Sequence, residues 1–419
     1  MKLEEQLRQL ESNEQVQAFR AAREGLASDR HRPWYHFSPP GSVMNDPNGL
    51  CQWRGFYHLF YQYTPEGQSN IHWGHTVSED LVRWHDLPIA LYPDQEKDCF
   101  SGQTLVEDNR VIAIYHGTEA GNAIATASDP LLIDWQKHPD NPVIPMVDVD
   151  DNGYPYRVFD PCIWKESDHY YALSGVFKDG VRSVDCVGVD HVFRSVDLTT
   201  WEHLGPLVEG DYASEPGEDY AVPNLWPIGN GKHMLLFFSH KRGGQYFVGD
   251  YDSLTHRFSP DYHGRLNNGP LAIGSLHAPS ATIDDSGRYL GIFNVKESRE
   301  EQGWRDIMTL PYHLSLAADD SLLIQPVEEM KSLRGDHVRL TSVEAGAGED
   351  VVLDGVSGSA IEIEAIIEPG DAHEVGLRVL RSSDAEEQTR ISFFPDSHRR
   401  FDVPRVQIDG TSSSNRIDL

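Results

Sequence analysis

The chain contains no run of about 18 apolar residues, so no segment reads as a membrane-spanning helix. Its four cysteines (Cys51, Cys99, Cys162, Cys186) form no CxxC pair, which leaves no zinc or redox motif. Lysine is scarce, and positive charge as a whole is outweighed: 35 Lys and Arg stand against 66 Asp and Glu, a net charge of −31. A field of that sign repels nucleic acid and anionic lipid, which excludes both as partners and leaves a neutral substrate such as a sugar unaffected. The opening stretch MKLEEQLRQLESNEQ is charged and lacks the apolar core of a secretory leader, so the expected location is cytoplasmic.

What is present is β texture. Residues 1–30 read as a helical extension, with Leu3, Leu7, Leu10, Val16 and Phe19 at roughly helical spacing among charges. From His31 the pattern changes to short apolar-aromatic runs between Gly, Pro, Asn and Asp turns: FYHLFYQY, RVIAIYHG, HYYALSGV, HMLLFFSH and YLGIFNV. Each is of strand length and no long helical pattern intervenes. An internal repeat runs through them. Ser78-Glu-Asp-Leu-Val-Arg-Trp84 resembles Ser195-Val-Asp-Leu-Thr-Thr-Trp201, with a looser copy at Ser128–Trp135 and a weaker one at Asp252–Phe258. A period of roughly 50 to 65 residues with several strands each indicates propeller blades, five in the length available up to about residue 337. Residues 338–419 read as a second β domain. There VVLDG, AIEIEAIIE, EVGLRVL, TRISFF and RVQIDG are expected strands, and the near-alternation of Ile361, Ile363, Ala365 and Ile367 with glutamates marks a half-buried sheet. The expected fold is all-β: a five-bladed propeller at 31–337, then a β-sandwich, short at about 80 residues and read as cut short, at 338–419.

Cleaving a glycoside takes two carboxyl groups flanking the scissile bond. The carboxylate in the most unusual setting is Asp46, within Met44-Asn-Asp-Pro-Asn-Gly49. Pro and Gly there suggest a tight turn at the start of a strand.

Met44–Gly49, then Tyr57-His-Leu-Phe-Tyr-Gln62, His72-Trp-Gly-His75 and Phe100-Ser-Gly102 resemble, in order, the motifs of glycoside hydrolase family 32, the invertases and fructan hydrolases. Phe159-Asp160-Pro161, Ala278-Pro-Ser280 and Asp285-Ser-Gly-Arg288 extend the resemblance. It implies a retaining hydrolase of β-linked fructose in sucrose or fructans, with no metal or organic cofactor. It implies Asp46 as nucleophile and Asp160 as the group that grips sugar hydroxyls. Asn45, Gln62, Trp73, Phe100 and Ser101 are then expected to line the fructose pocket. Transfer to a sugar hydroxyl, or binding without turnover, are the rival outcomes of the same pocket.

The chain departs from the family pattern at three places. Aligning Pro223 on the family proline sets Ala221 where the acid/base glutamate belongs, and alanine donates no proton. The nearby acids are Glu215, Glu218 and Asp219; Glu218 is the favoured acid/base, with Asp219 next and otherwise part of the binding site. Phe159 occupies the place of the family arginine, with Arg157 two residues earlier and expected on the same strand face. Val43 stands where many relatives carry tryptophan.

Overall fold

In the computed structural model, residues 2–29, 31–146, 157–177, 188–208, 218–267, 275–296, 303–395 and 405–411 are described. Contacts divide the chain into two units, Met1–Met330 and Lys331–Leu419.

The five apolar-aromatic runs each become the second strand of an antiparallel sheet: Phe56–Thr64, Arg110–Gly117, His169–Phe177, Lys232–Ser239 and Tyr289–Val295. They lack polar alternation because both faces are covered. Successive side chains point to opposite faces, and each face packs on a different neighbouring sheet. Val111, Ala113 and Tyr115 enter the core shared with the first sheet, while Ile112 and Ile114 enter the core shared with the third. The same division holds for Leu59 and Tyr61 against Phe60, and for Leu235 and Phe237 against Met234 and Leu236. Five cores result, one between each pair of consecutive sheets, and the last joins the fifth sheet back to the first through Leu290, Ile292 and Met308. Large side chains sealed in this way contribute about 1.5–3 kcal/mol each. The ring is a five-bladed propeller.

The inner strands are Ser42–Trp53, Cys99–Glu107, Val158–Glu166, Ala221–Gly229 and Leu276–Ile283. The ring is fastened where Trp304–Arg305 pairs in parallel with Ser42–Val43. The sequence repeat is the turn between the third and fourth strands of a blade. Asp80 Oδ1 accepts the backbone N–H groups of Val82 and Arg83, Leu81 adopts φ +61°, and the Trp84 indole N–H donates to the Leu81 carbonyl at 3.1 Å. Asp197, Leu198 (φ +68°) and Trp201 repeat the arrangement, as do Asp129 and Leu132 in part.

Helices α1 (Leu3–Glu11) and α2 (Glu14–Gly25) pack on the outside of the first two blades. Leu10 and Val16 join Val77, Leu87 and Leu131. The Gln15 carboxamide accepts the Ile89 N–H at 2.7 Å, which closes part of an exposed sheet edge.

The second unit shows one antiparallel sheet, Val375–Val379, Gln388–Phe394 and Arg405–Thr411, corresponding to EVGLRVL, TRISFF and RVQIDG. The other two expected strands do not form: residues 351–355 and 360–368 carry no strand, and Ile363 and Ile366 are 45% and 94% exposed. Alternation alone does not make a strand. It needs a hydrogen-bonded neighbour, and none of the described residues supplies one there.

Candidate active site

The site is built by a recurring irregularity. Near its start every inner strand loses register with the second strand, leaving residues that no partner opposes: Asn45–Asp46, Phe100–Ser101, Asp160–Pro161, Val222–Pro223 and Ala278. A β-bulge turns side chains away from the pleat, and five of them at one end of the channel make a ring. Four of the site residues expected from sequence besides Asp46 (Asn45, Phe100, Ser101 and Asp160) stand in it. Met44–Gly49 is therefore no chain reversal: it lies within the 12-residue strand Ser42–Trp53, with bulges at 45–46 and 49–50. Pro and Gly serve here to break a ladder. Gly49 has φ +51°, and a Cβ on it would come within 2.7 Å of Thr104 Cγ2.

The first two bulges are joined by hydrogen bonds. Gln62, the residue opposite Asn45–Asp46, donates from Nε2 to Asp46 Oδ2 at 3.2 Å and to Ser101 Oγ at 2.7 Å. The Ser101 hydroxyl donates to the same Asp46 Oδ2 at 2.6 Å. Asn45 Nδ2 donates to Gln62 Oε1 at 3.1 Å. Among the described residues both donors to Asp46 converge on one oxygen, and none reaches the other. Phe100 is partly exposed, edge-on to His116. Trp73, expected in the pocket wall, stands one layer behind it. It is fully buried between the first two blades, and its indole N–H holds the Phe100 carbonyl at 2.8 Å.

On the third blade Asp160 sits at the bulge with φ +44°, 8% exposed. The Phe159 ring lies against Gly175 and joins an apolar cluster with Ala221, Val222, Phe238 and Ala278. The bulges of blades one to three thus each carry a polar side chain, while those of blades four and five carry apolar ones only. Arg157 precedes the strand and is exposed.

Glu218 and Asp219 lie just ahead of the fourth inner strand, both 1% exposed, and take different partners. Glu218 accepts from Gln245 Nε2 at 2.8 Å and from Arg265 at 3.1 and 3.4 Å. Asp219 accepts the His240 backbone N–H at 2.9 Å and faces its Nδ1 at 2.5 Å. Glu215 falls outside the described residues. At the neighbouring bulge Val222 takes φ +46°, which is unfavourable for a β-branched residue.

Sequence reasoning missed several polar residues here: Lys296, which donates to Asn45 Oδ1 and pairs with buried Asp306 at 3.1 Å, together with Gln245, Arg265, His240 and Asp190. Lys296 lies 251 positions from Asn45, while Gln245, Arg265 and His240 lie 21 to 47 positions from the acids they contact; His240 ends the HMLLFFSH run, which reads only as a strand. His277, next to the fifth bulge, is pushed down to about 3 by burial and then by the charges of Lys296 and His240. Among the described residues, no group of three or more His, Cys, Asp or Glu stands placed to hold a metal ion.

Comparison with known proteins agrees with this geometry. Residues 36–326 match the glycosyl hydrolases family 32 N-terminal domain, and residues 329–415 match the family's C-terminal domain. A levanase of Bacillus subtilis is 30% identical over 406 residues, 86% of this chain and 56% of the levanase, so the chain spans about half of that relative's length. A cell-wall β-fructofuranosidase of Pisum sativum is 31% identical over 83% of this chain and 69% of its own. Among solved structures, a Bombyx mori β-fructofuranosidase superposes with a TM-score of 0.71 at 26% identity, covering 98% of this chain and 87% of its own. The bulged channel with its Asn-Asp-Pro-Asn-Gly strand and the two domain matches lead to one conclusion: the chain belongs to glycosyl hydrolase family 32.

Proposed function

We propose that the protein is a retaining β-fructosidase that releases fructose from sucrose or fructans, with residues 31–337 as its catalytic propeller. The observation that carries this reading is the convergence of Gln62 and Ser101 on one oxygen of Asp46, which fixes that carboxylate at the channel mouth. Asp46 attacks the anomeric carbon of the fructosyl unit and forms a covalent ester, and the leaving alcohol takes a proton from Glu218. Water then attacks the ester, gives its proton back to Glu218 and frees fructose. Asp160 holds ring hydroxyls from the third bulge and tightens as the ring flattens. Asn45, Gln62, Phe100 and Ser101 shape the pocket, with Trp73 behind Phe100, Arg157 at the rim and Asp219 oriented by His240.

Asp46→Asn tests the reading. Loss of sucrose and levan cleavage by about 10³-fold or more is expected; undiminished release of free fructose overturns it. Chromatography of products at high sucrose separates hydrolysis from transfer to another sugar.

A further inference from the structure

We infer that Lys296 is a positioning residue for the nucleophile, one ammonium that sets the direction of the whole hydrogen-bond relay ending on Asp46. The inference rests on Asp46 as the attacking group. Lys296 lies at the end of the fifth blade's second strand and reaches across the seam of the ring to Asn45 on the first blade. It is held from behind by Asp306, which is 1% exposed.

Asn and Gln amides can present either end to a neighbour, whereas an ammonium only donates. Facing Lys296, Asn45 must offer Oδ1, and its Nδ2 is then left for Gln62 Oε1 at 3.1 Å. Gln62 is fixed in turn: with Oε1 engaged, Nε2 faces Asp46 Oδ2 and Ser101 Oγ. With the Asn45 amide reversed, two donors would face each other at Lys296. Gln62 would then follow and turn its carbonyl oxygen on the Asp46 carboxylate. Ser101 would lose the donor it accepts from and would have two acceptors competing for its single proton. Lys296, a donor only, closes the relay at the end opposite the acceptor-only Asp46 carboxylate, and its charge removes the alternative in which Asn45 reverses and Gln62 follows.

The test uses the full chain with sucrose as substrate and thermal melting as a check on folding. Lys296→Met is expected to lower kcat on the order of 10- to 100-fold, as for a group displaced by about 1 Å, with KM changed by less than about threefold. In an Asn45→Ala background the same substitution is expected to change kcat by less than about twofold, because no amide remains to orient. Lys296→Arg, which keeps the donor and the charge, is expected to restore most of the rate. A kcat for Lys296→Met within about twofold of the parent, or equal losses in both backgrounds, overturns the inference. If Lys296→Met does not fold, Lys296→Gln carries the same two-background comparison, and equal losses there overturn it as well. An active Asp46→Asn protein refutes the reading of the reaction itself; an inactive one beside a neutral Lys296→Met refutes only the role of Lys296.

Discussion

Gly102 is the first paired residue after the second bulge, opposite Tyr115, and its replacement by alanine has a calculable effect. A Cβ at Gly102 would lie 2.0 Å from the Ile114 carbonyl oxygen, 2.5 Å from Tyr115 Cα and 2.9 Å from Ile114 C. All three are backbone atoms, so no rotamer change relieves them. An ordinary contact requires the inner strand to move away from its neighbour by about 1 Å or more. Ser101 is covalently next in line and moves with it, while Asp46 belongs to another blade. The 2.6 Å bond between them is lost. Overpacking of this kind costs about 3 kcal/mol, on the order of 5 °C in Tm for a unit of this size, and a displacement of about 1 Å beside the proposed nucleophile is expected to cost about 10²-fold in kcat. Gly249→Ala serves as the control. Its Cβ meets an equally rigid wall, the Ser259 carbonyl oxygen at 2.1 Å, but between the outer strands of the fourth blade. It is expected to lower Tm by a similar amount and leave kcat within about twofold. Assays of both purified variants on sucrose, alongside melting curves, decide the matter. A Gly102→Ala protein with parental Tm and kcat, or equal kcat losses in the two variants, refutes the reasoning.

Two further outcomes follow from other parts of the fold. Asp190 is 3% exposed, neither carboxyl oxygen has a hydrogen-bond partner among the described residues, and burial followed by the charge of Asp219 holds it well above the usual carboxylate range. Its folded pKa being the higher one, the unfolded chain ionises first as pH rises above about 4, and stability drains away from there upward. The Tm of Asp190→Asn relative to the parent is therefore expected to improve steadily from pH 4 to pH 7; a difference that does not vary with pH refutes it. Asp197→Ala strips the acceptor from the Thr199 and Thr200 N–H groups at the outer turn of the third blade. A loss of about 1–2 kcal/mol in urea unfolding with unchanged kcat is expected, and a fall in kcat would show that this turn reaches the channel.

The sequence made the second strands plain because a strand covered on both faces cannot hide polar residues, and so FYHLFYQY or YLGIFNV stands out without any periodicity. The Ser-Asp-Leu-Trp repeat was readable for a related reason: one turn geometry, with leucine at positive φ, demands the same side chains each time it occurs. The pocket was half legible. Asn45, Asp46, Gln62 and Ser101 lie in compact motifs and meet in the structure. Lys296 bonds to a residue 251 positions away, a separation that leaves no local trace. Asn-Asp-Pro-Asn-Gly was misread as a turn because a ladder break and a chain reversal recruit the same residues. Ile361–Glu368 misled in the opposite sense: its alternation is that of a strand, yet a strand is defined by what pairs with it.

The seam of the propeller has a consequence for how the protein comes into being. Asp46 is made early, but Lys296, Asp306 and the Trp304–Arg305 strap that hold its surroundings are made more than 200 residues later. A ribosome-bound chain with four blades complete already contains Asp46, its bulge and Gln62, and still lacks Lys296, the cation that bonds to Asn45 beside them. Activity is thereby expected to depend on the closing of the ring, the docking of the fifth blade on the first, and a sugar assay on stalled or truncated chains reads out that closure.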